Sequence, residues 1–133
     1  MKLKRILFVC VHNSGRSQIA TAFFNRLAGG VAVATSAGTS PALEVDPVVA
    51  EVMLEAGIDI RGAKPELLTP EMAGNADRVI TMGCGVAEVC PGNLLPAEDW
   101  GLEDPAGKPV EQVREIRDEI RNKVERLLRE LQP

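Results

Sequence analysis

The run Ile6-Leu7-Phe8-Val9 constrains the fold of this chain more than any other segment. Consecutive apolar residues leave no polar side for water, so a strand made of them must be covered on both faces. That is the signature of a buried strand in a parallel sheet. The basic stretch before it, Met1-Lys2-Leu3-Lys4-Arg5, gives the start a superficial likeness to a signal peptide. The apolar run is too short for one, however, and leads into His12-Asn13 with no small-residue cleavage site behind it.

The rest of the chain supplies the covering layers. Ser17 to Ala28 reads as a helix with Ile19, Ala20, Phe23, Phe24 and Leu27 on one face and Gly29-Gly30 as its stop. Val31 to Thr35 reads as a second strand. Asp46-Pro47 supplies an N-cap and first-turn proline for a helix to about Ala56, closed by Gly57. Thr69-Pro70-Glu71 repeats the start signal for a brief helix, Arg78 to Met82 is a third strand, and Ala97 to Trp100 a candidate fourth. After Pro109, the residues Val110, Val113, Ile116, Ile120, Val124, Leu127, Leu128 and Leu131 recur every three or four positions, which predicts a long amphipathic helix. Strands alternating with helices predict an α/β three-layer sandwich whose parallel strands are joined by right-handed crossovers. Functional residues then belong at the carboxyl ends of the strands. Cys10, Cys84 and Asp104 each follow a predicted strand.

Residues 1–133 read as one domain, without repeat, low-complexity segment or linker. The net charge of −4 gives no reason to expect nucleic acid or an anionic membrane as partner, so any bound anion must be held by local geometry. No apolar run is long enough to span a bilayer. Three cysteines are an odd set, unlike a secreted disulfide framework, and with a single histidine they make a poor zinc site. Active thiols in a reducing cytosol, with no metal and a monomeric chain, are the expectation.

Between the first strand and the first helix lies Cys10-Val11-His12-Asn13-Ser14-Gly15-Arg16-Ser17. Five residues between cysteine and arginine allow successive N–H groups to curl around one concavity, an anion-binding nest. Gly15 is expected to supply the positive φ of that curl. The helix start adds its positive end, and Arg16 can grip two oxygens of a tetrahedral anion. The same field favours a thiolate, making Cys10 the candidate nucleophile. Ser17 can donate its hydroxyl to that sulfur, and Asn13 can brace the loop. His12 is expected to point away from the nest. A buried cysteine beside an incidental arginine is the simpler alternative, but it leaves the spacing unexplained.

This arrangement resembles the low-molecular-weight protein tyrosine phosphatase superfamily and, within it, the arsenate reductases coupled to thioredoxin. The resemblance runs over essentially the whole chain. It rests on Val9 through Gln18, Ser36-Ala37-Gly38-Thr39, Thr81-Met82-Gly83-Cys84-Gly85, Cys90-Pro91, and Asp99-Trp100 through Glu103-Asp104-Pro105-Ala106-Gly107. It implies a four-stranded parallel sheet and arsenate as substrate, with phosphate or sulfate as analogues. By motif, Cys10 would be the nucleophile. Asn13, Arg16 and Ser17 would shape the oxyanion loop, Asp104 would be the carboxylate opposite it, and Cys84 and Cys90 the relay thiols. No tightly bound cofactor is implied, the electrons coming from a thioredoxin-type protein.

The chain departs from the pattern in two places. Some relatives hold potassium near the loop with a carboxylate on the first helix, where this chain has Thr21, so that site is not carried over. The stretch Gly85-Val86-Ala87-Glu88-Val89 between the relay cysteines also differs among members, while Gly83, Gly85 and Gly92 are compatible with movement there.

Two rival readings stay open. The same loop and Asp104 would serve a phosphatase acting on phosphotyrosine or a small phosphomonoester. Phosphotyrosine enzymes of this fold commonly place a tyrosine after the Asp-Pro pair, but here Ala106 stands there and the chain has no tyrosine. A non-catalytic thiol redox sensor or arsenite-binding module would use the three thiols but leave Arg16 and the nest without a purpose.

Overall fold

The structure is a computed structural model that describes residues 3–83 and 98–131. Its strands are β1 (Lys4–Cys10), β2 (Ala32–Gly38), β3 (Arg78–Thr81) and β4 (Glu98–Asp99), and its helices α1 (Arg16–Leu27), α2 (Pro47–Glu55), α3 (Pro70–Asn75) and α4 (Val110–Leu131). The strands form one sheet in the order β2-β1-β3-β4, and every pairing is parallel. β1 lies inside the sheet, and Ile6 through Cys10 are all buried.

The pleat of β1 divides its side chains between two cores. Ile6, Phe8 and Cys10 join the larger core, made with α1, α2 and α4. Leu7 and Val9 join Ala37 in a smaller core covered by Leu68, Met72, Ala73, Ala76 and Val79. This is the three-layer α/β sandwich expected from the strand–helix alternation. Each fully buried large aliphatic or aromatic side chain of β1 contributes about 1.5–3 kcal/mol relative to exposure.

The helix starts follow the capping residues. Asp46 accepts from the Val48 N–H at 2.9 Å, and Thr69 accepts from the Met72 N–H at 3.3 Å. α4 buries Val113, Ile116, Ile120, Val124, Leu127 and Leu128, with Val110 and Leu131 at the margin. α1 is stapled to the sheet edge by Asn25, whose side chain donates to the Ala34 carbonyl and accepts from the Ala34 N–H. Those are backbone groups of β2, the outermost strand on that side.

Three local expectations change. β2 runs on to Gly38, three residues past the predicted end, because its partner β1 is equally long and pairs Cys10 with Gly38. α1 begins at Arg16 and buries Arg16, Ser17 and Gln18 along with its apolar face. Leu27 shares that helical period but sits in the last turn and is 39% exposed.

Strand register gathers distant residues at one edge of the sheet. Cys10 lies beside Gly38, Val9 beside Thr81, and Thr81 beside Asp99. Because every pair is parallel, the loops leaving all four strands emerge along that edge.

Candidate active site

Cys10 is the last residue of β1, and its sulfur is a buried free thiol. Two polar groups converge on it. The Asn13 N–H points at Sγ from 3.2 Å, and Ser17 Oγ lies 2.8 Å away. Asn13 Nδ2 donates to that same Ser17 oxygen at 2.7 Å, which leaves the hydroxyl hydrogen free to point at sulfur.

The curl of the loop does not come from where the sequence suggested. Asn13, at φ 51°, is the residue in the left-handed region, whereas Gly15 has φ −138°. Asparagine tolerates that region better than other side chains. Gly15 is small for a different reason: a Cβ there would lie 3.0 Å from Pro105 Cγ. As the N-cap of α1 it also brings no side chain to claim the first-turn N–H groups. Those N–H groups, at the positive end of the helix, suit an anion.

Arg16 is 8% exposed. Its Nη1 donates to the carbonyls of Met82 at 3.3 Å and of Gly83 and Leu102 at 3.0 Å. Among the described residues, Nε and Nη2 make no hydrogen bond, and the nearest carboxylate oxygen, Asp104 Oδ2, is 4.0 Å from Nη2. Neutral carbonyls fix the guanidinium without cancelling its charge. Asp104 itself is half exposed, and its Oδ1 accepts from the Ala106 N–H at 3.0 Å. The Asp-Pro turn is therefore real, and it holds the carboxylate across from Arg16.

His12 is turned outward, as expected, with Nδ1 3.1 Å from the Ser40 carbonyl. Val11 and Ser14 contribute backbone: Val11 O accepts from the Ser40 N–H and Ser14 O from the Asp46 N–H. Cys84 and Cys90 lie outside the described residues.

Gly38, Asp99 and Pro105 support the site without a role read from sequence, and Gly83 takes a different role from the mobility expected of it. A Cβ on Gly38 would come within 2.6 Å of the Val11 carbonyl oxygen, so the loop rests directly on β2. A Cβ on Gly83, at φ 113°, would meet the Leu102 oxygen at 2.4 Å and Arg16 Nη1 at 3.1 Å. Close approach, rather than freedom to move, is the immediate reason for that glycine. Asp99 Oδ1 accepts from Thr81 Oγ1 at 2.7 Å and from the Gly83 N–H at 2.8 Å, pinning the end of β3. Pro105 closes over Gly15. Their sequence signals were glycines directly at strand ends and an acidic residue closing the last strand.

Thr21 Oγ1 is buried with no hydrogen bond among the described residues, but it is a single neutral oxygen. Asn13 Oδ1 already accepts from the Glu66 N–H at 2.9 Å and from Gln18 Nε2 at 3.3 Å. No group of three His, Cys, Asp or Glu residues is placed to hold a metal among the described residues. Among these residues, too, no helix is long and apolar enough to cross a membrane.

The site therefore combines a buried thiol with two polar partners, an uncapped helix start and a rigidly anchored guanidinium, faced by one carboxylate. That set can hold a tetrahedral oxyanion against a sulfur nucleophile.

Residues 5–133 match the family described as low molecular weight phosphotyrosine protein phosphatase. The chain is 37% identical over 134 residues to the glutaredoxin arsenate reductase of Synechocystis, covering 95% of this chain and 97% of that one. Among solved structures it resembles an arsenate reductase in the phosphate binding state, with a TM-score of 0.85 and 36% identity over 98% of this chain and 100% of the other. The thioredoxin-dependent arsenate reductase of Corynebacterium glutamicum matches with a TM-score of 0.78 and 39% identity, over 97% of this chain and 62% of that one. A low molecular weight protein tyrosine phosphatase from T. tengcongensis has a TM-score of 0.83 at 26% identity, over 96% and 99%.

Proposed function

This chain belongs to the low molecular weight phosphotyrosine protein phosphatase family, and from that premise we propose that it reduces arsenate to arsenite with Cys10 as nucleophile and electrons from a thioredoxin-type protein. What carries this reading is the Cys10 sulfur with its two polar partners beside Arg16, in a chain whose full-length relatives include arsenate reductases.

In the proposed mechanism arsenate lies in the loop, its oxygens held by the backbone N–H groups from Val11 to Ser17 and by Nε and Nη2 of Arg16. The Cys10 thiolate attacks arsenic, and hydroxide leaves as water with a proton from Asp104. Cys84 then attacks the Cys10 sulfur. The electron pair of the S–As bond stays on arsenic, arsenite departs, and a Cys10–Cys84 disulfide remains. Cys90 attacks Cys84, freeing Cys10 and moving the disulfide to Cys84–Cys90. An external dithiol protein reduces that bond. Two electrons pass from two thiols to arsenic, so the oxidation states balance.

Hydrolysis of a phosphate ester is the second reading, favoured by the phosphatase of the same fold at 26% identity. The loop and Asp104 would serve it equally. Three cysteines and the absence of tyrosine support reduction instead.

The test is coupled oxidation of NADPH, with thioredoxin and its reductase in one arm and glutaredoxin, glutathione and its reductase in the other. Arsenate-dependent NADPH loss that stops in Cys84→Ser supports the reading. Robust phosphotyrosine hydrolysis without arsenate-dependent oxidation overturns it.

A further inference from the structure

The direction of the hydrogen bonds that end on Cys10 depends on one amide. If the Asn13 side chain presented nitrogen to Ser17, as the geometry has it, the Ser17 hydroxyl would donate to sulfur. Were the amide flipped, its oxygen would accept the Ser17 hydrogen and the sulfur would lose a donor. Something must hold the amide in one of its two orientations.

Two N–H donors do so. The Glu66 backbone N–H donates to Asn13 Oδ1 at 2.9 Å, and Gln18 Nε2 reaches the same oxygen at 3.3 Å. A backbone N–H can only donate, so the oxygen must face it. Gln18 is also fixed by a group that can only accept, since its Nε2 donates to the Asn13 carbonyl at 3.1 Å. That second bond grips the backbone of the residue held at φ 51°. Gln18 is 6% exposed, on the first turn of α1 directly after Ser17. In a buried setting, losing such a donor leaves carbonyl oxygens unpaired, and bonded chains of this kind polarise one another.

We propose that Gln18 is a positioning residue for the nucleophile: by donating to the backbone carbonyl of Asn13 and, together with the Glu66 N–H, to its amide oxygen, it holds the chain Asn13–Ser17–Cys10 in register and aims the Ser17 hydroxyl at the sulfur. It acts through Asn13 and touches no reacting atom. The proposal depends on arsenate reduction only in taking Cys10 as the reacting sulfur.

The experiment follows alkylation of Cys10 by iodoacetamide across pH, read by mass spectrometry of the Cys10 peptide, so neither arsenate nor the other thiols enter. Gln18→Met keeps the length and removes the donor. Its Cys10 should alkylate roughly tenfold more slowly near neutral pH, with the profile moved to higher pH and the plateau rate regained. Arg16, Asp104 and Glu66, the charged residues around the loop, are unchanged in that variant. In a Ser17→Ala background the same substitution should add almost nothing, because the last link is already gone. A lowered Tm with an unmoved profile, or an equal effect with and without Ser17, would make Gln18 merely structural and overturn the proposal. If Gln18→Met fails to fold, Gln18→Asn, whose shorter amide cannot reach the Asn13 oxygens, takes its place with the same expected and opposing outcomes. Nuclear Overhauser contacts of the Asn13 NH₂ should run to the Ser17 side chain, and contacts to the Glu66 amide instead would refute the proposal.

Discussion

The two sides of the site are built differently. On the Cys10 side the polar groups are buried and tied to each other: Asn13, Ser17, Gln18 and the Nη1 edge of Arg16 all have partners inside the protein. On the Asp104 side a half-exposed carboxylate sits on a short turn, restrained by the Ala106 N–H. The contrast separates two demands. A receptor for an oxyanion gains from donors that need no rearrangement when charge arrives. A group that gives up and regains a proton gains from contact with water.

The sharpest way to break this division is Arg16→Lys. Lysine keeps the charge but cannot anchor to three carbonyls and still offer a planar pair of donors. Arsenate-dependent turnover should fall by about 10³-fold, measured as NADPH oxidation at saturating reductant. Near-normal turnover would mean that charge alone suffices.

Asp104→Asn probes the open side. Its Oδ1 can still accept from Ala106, so stability to urea should stay within about 0.5 kcal/mol of the parent while kcat falls about 10²-fold. A large loss of stability would show that the carboxylate is structural and not a proton donor.

Gly83→Ala sharpens the contrast from the buried side. The new Cβ would press on the Leu102 backbone and on Arg16 at a positive φ, and the cost should be about 3 kcal/mol by urea denaturation.

The smallest effect lies far from the site. Hydrogen bonding from Arg114, with Arg117 adding to it, holds the Glu55 carboxyl below its ordinary 4.5. A lowered carboxylate stabilises the fold above its unfolded value, and that contribution is lost as pH falls through the lowered one. Glu55→Gln should therefore flatten the acid limb of the stability curve below about pH 4.5, leaving neutral turnover unchanged.

Much of the fold could be read from local chemistry. Asp46-Pro47 and Thr69-Pro70 start helices because capping needs only neighbours in sequence, and the period after Pro109 finds the buried stripe of α4 for the same reason. The loop spacing located Cys10, Arg16 and Ser17. The legible part ended where a residue's reason lies far along the chain. Gly15 is glycine because Pro105 leans on it, Gly83 because Leu102 and Arg16 crowd it, and neither contact has a local signature. The positive φ expected at Gly15 falls on Asn13 instead, held there by a bond from Gln18 to its backbone carbonyl and one from the distant Glu66 N–H to its side chain.

The central claim is that sulfur in this chain passes two electrons to a bound oxyanion, and a single turnover without reductant tests it directly. Fully reduced protein mixed with excess arsenate should release one arsenite per chain while its titratable thiols fall from three to one. Three thiols remaining, with no arsenite formed, would contradict it.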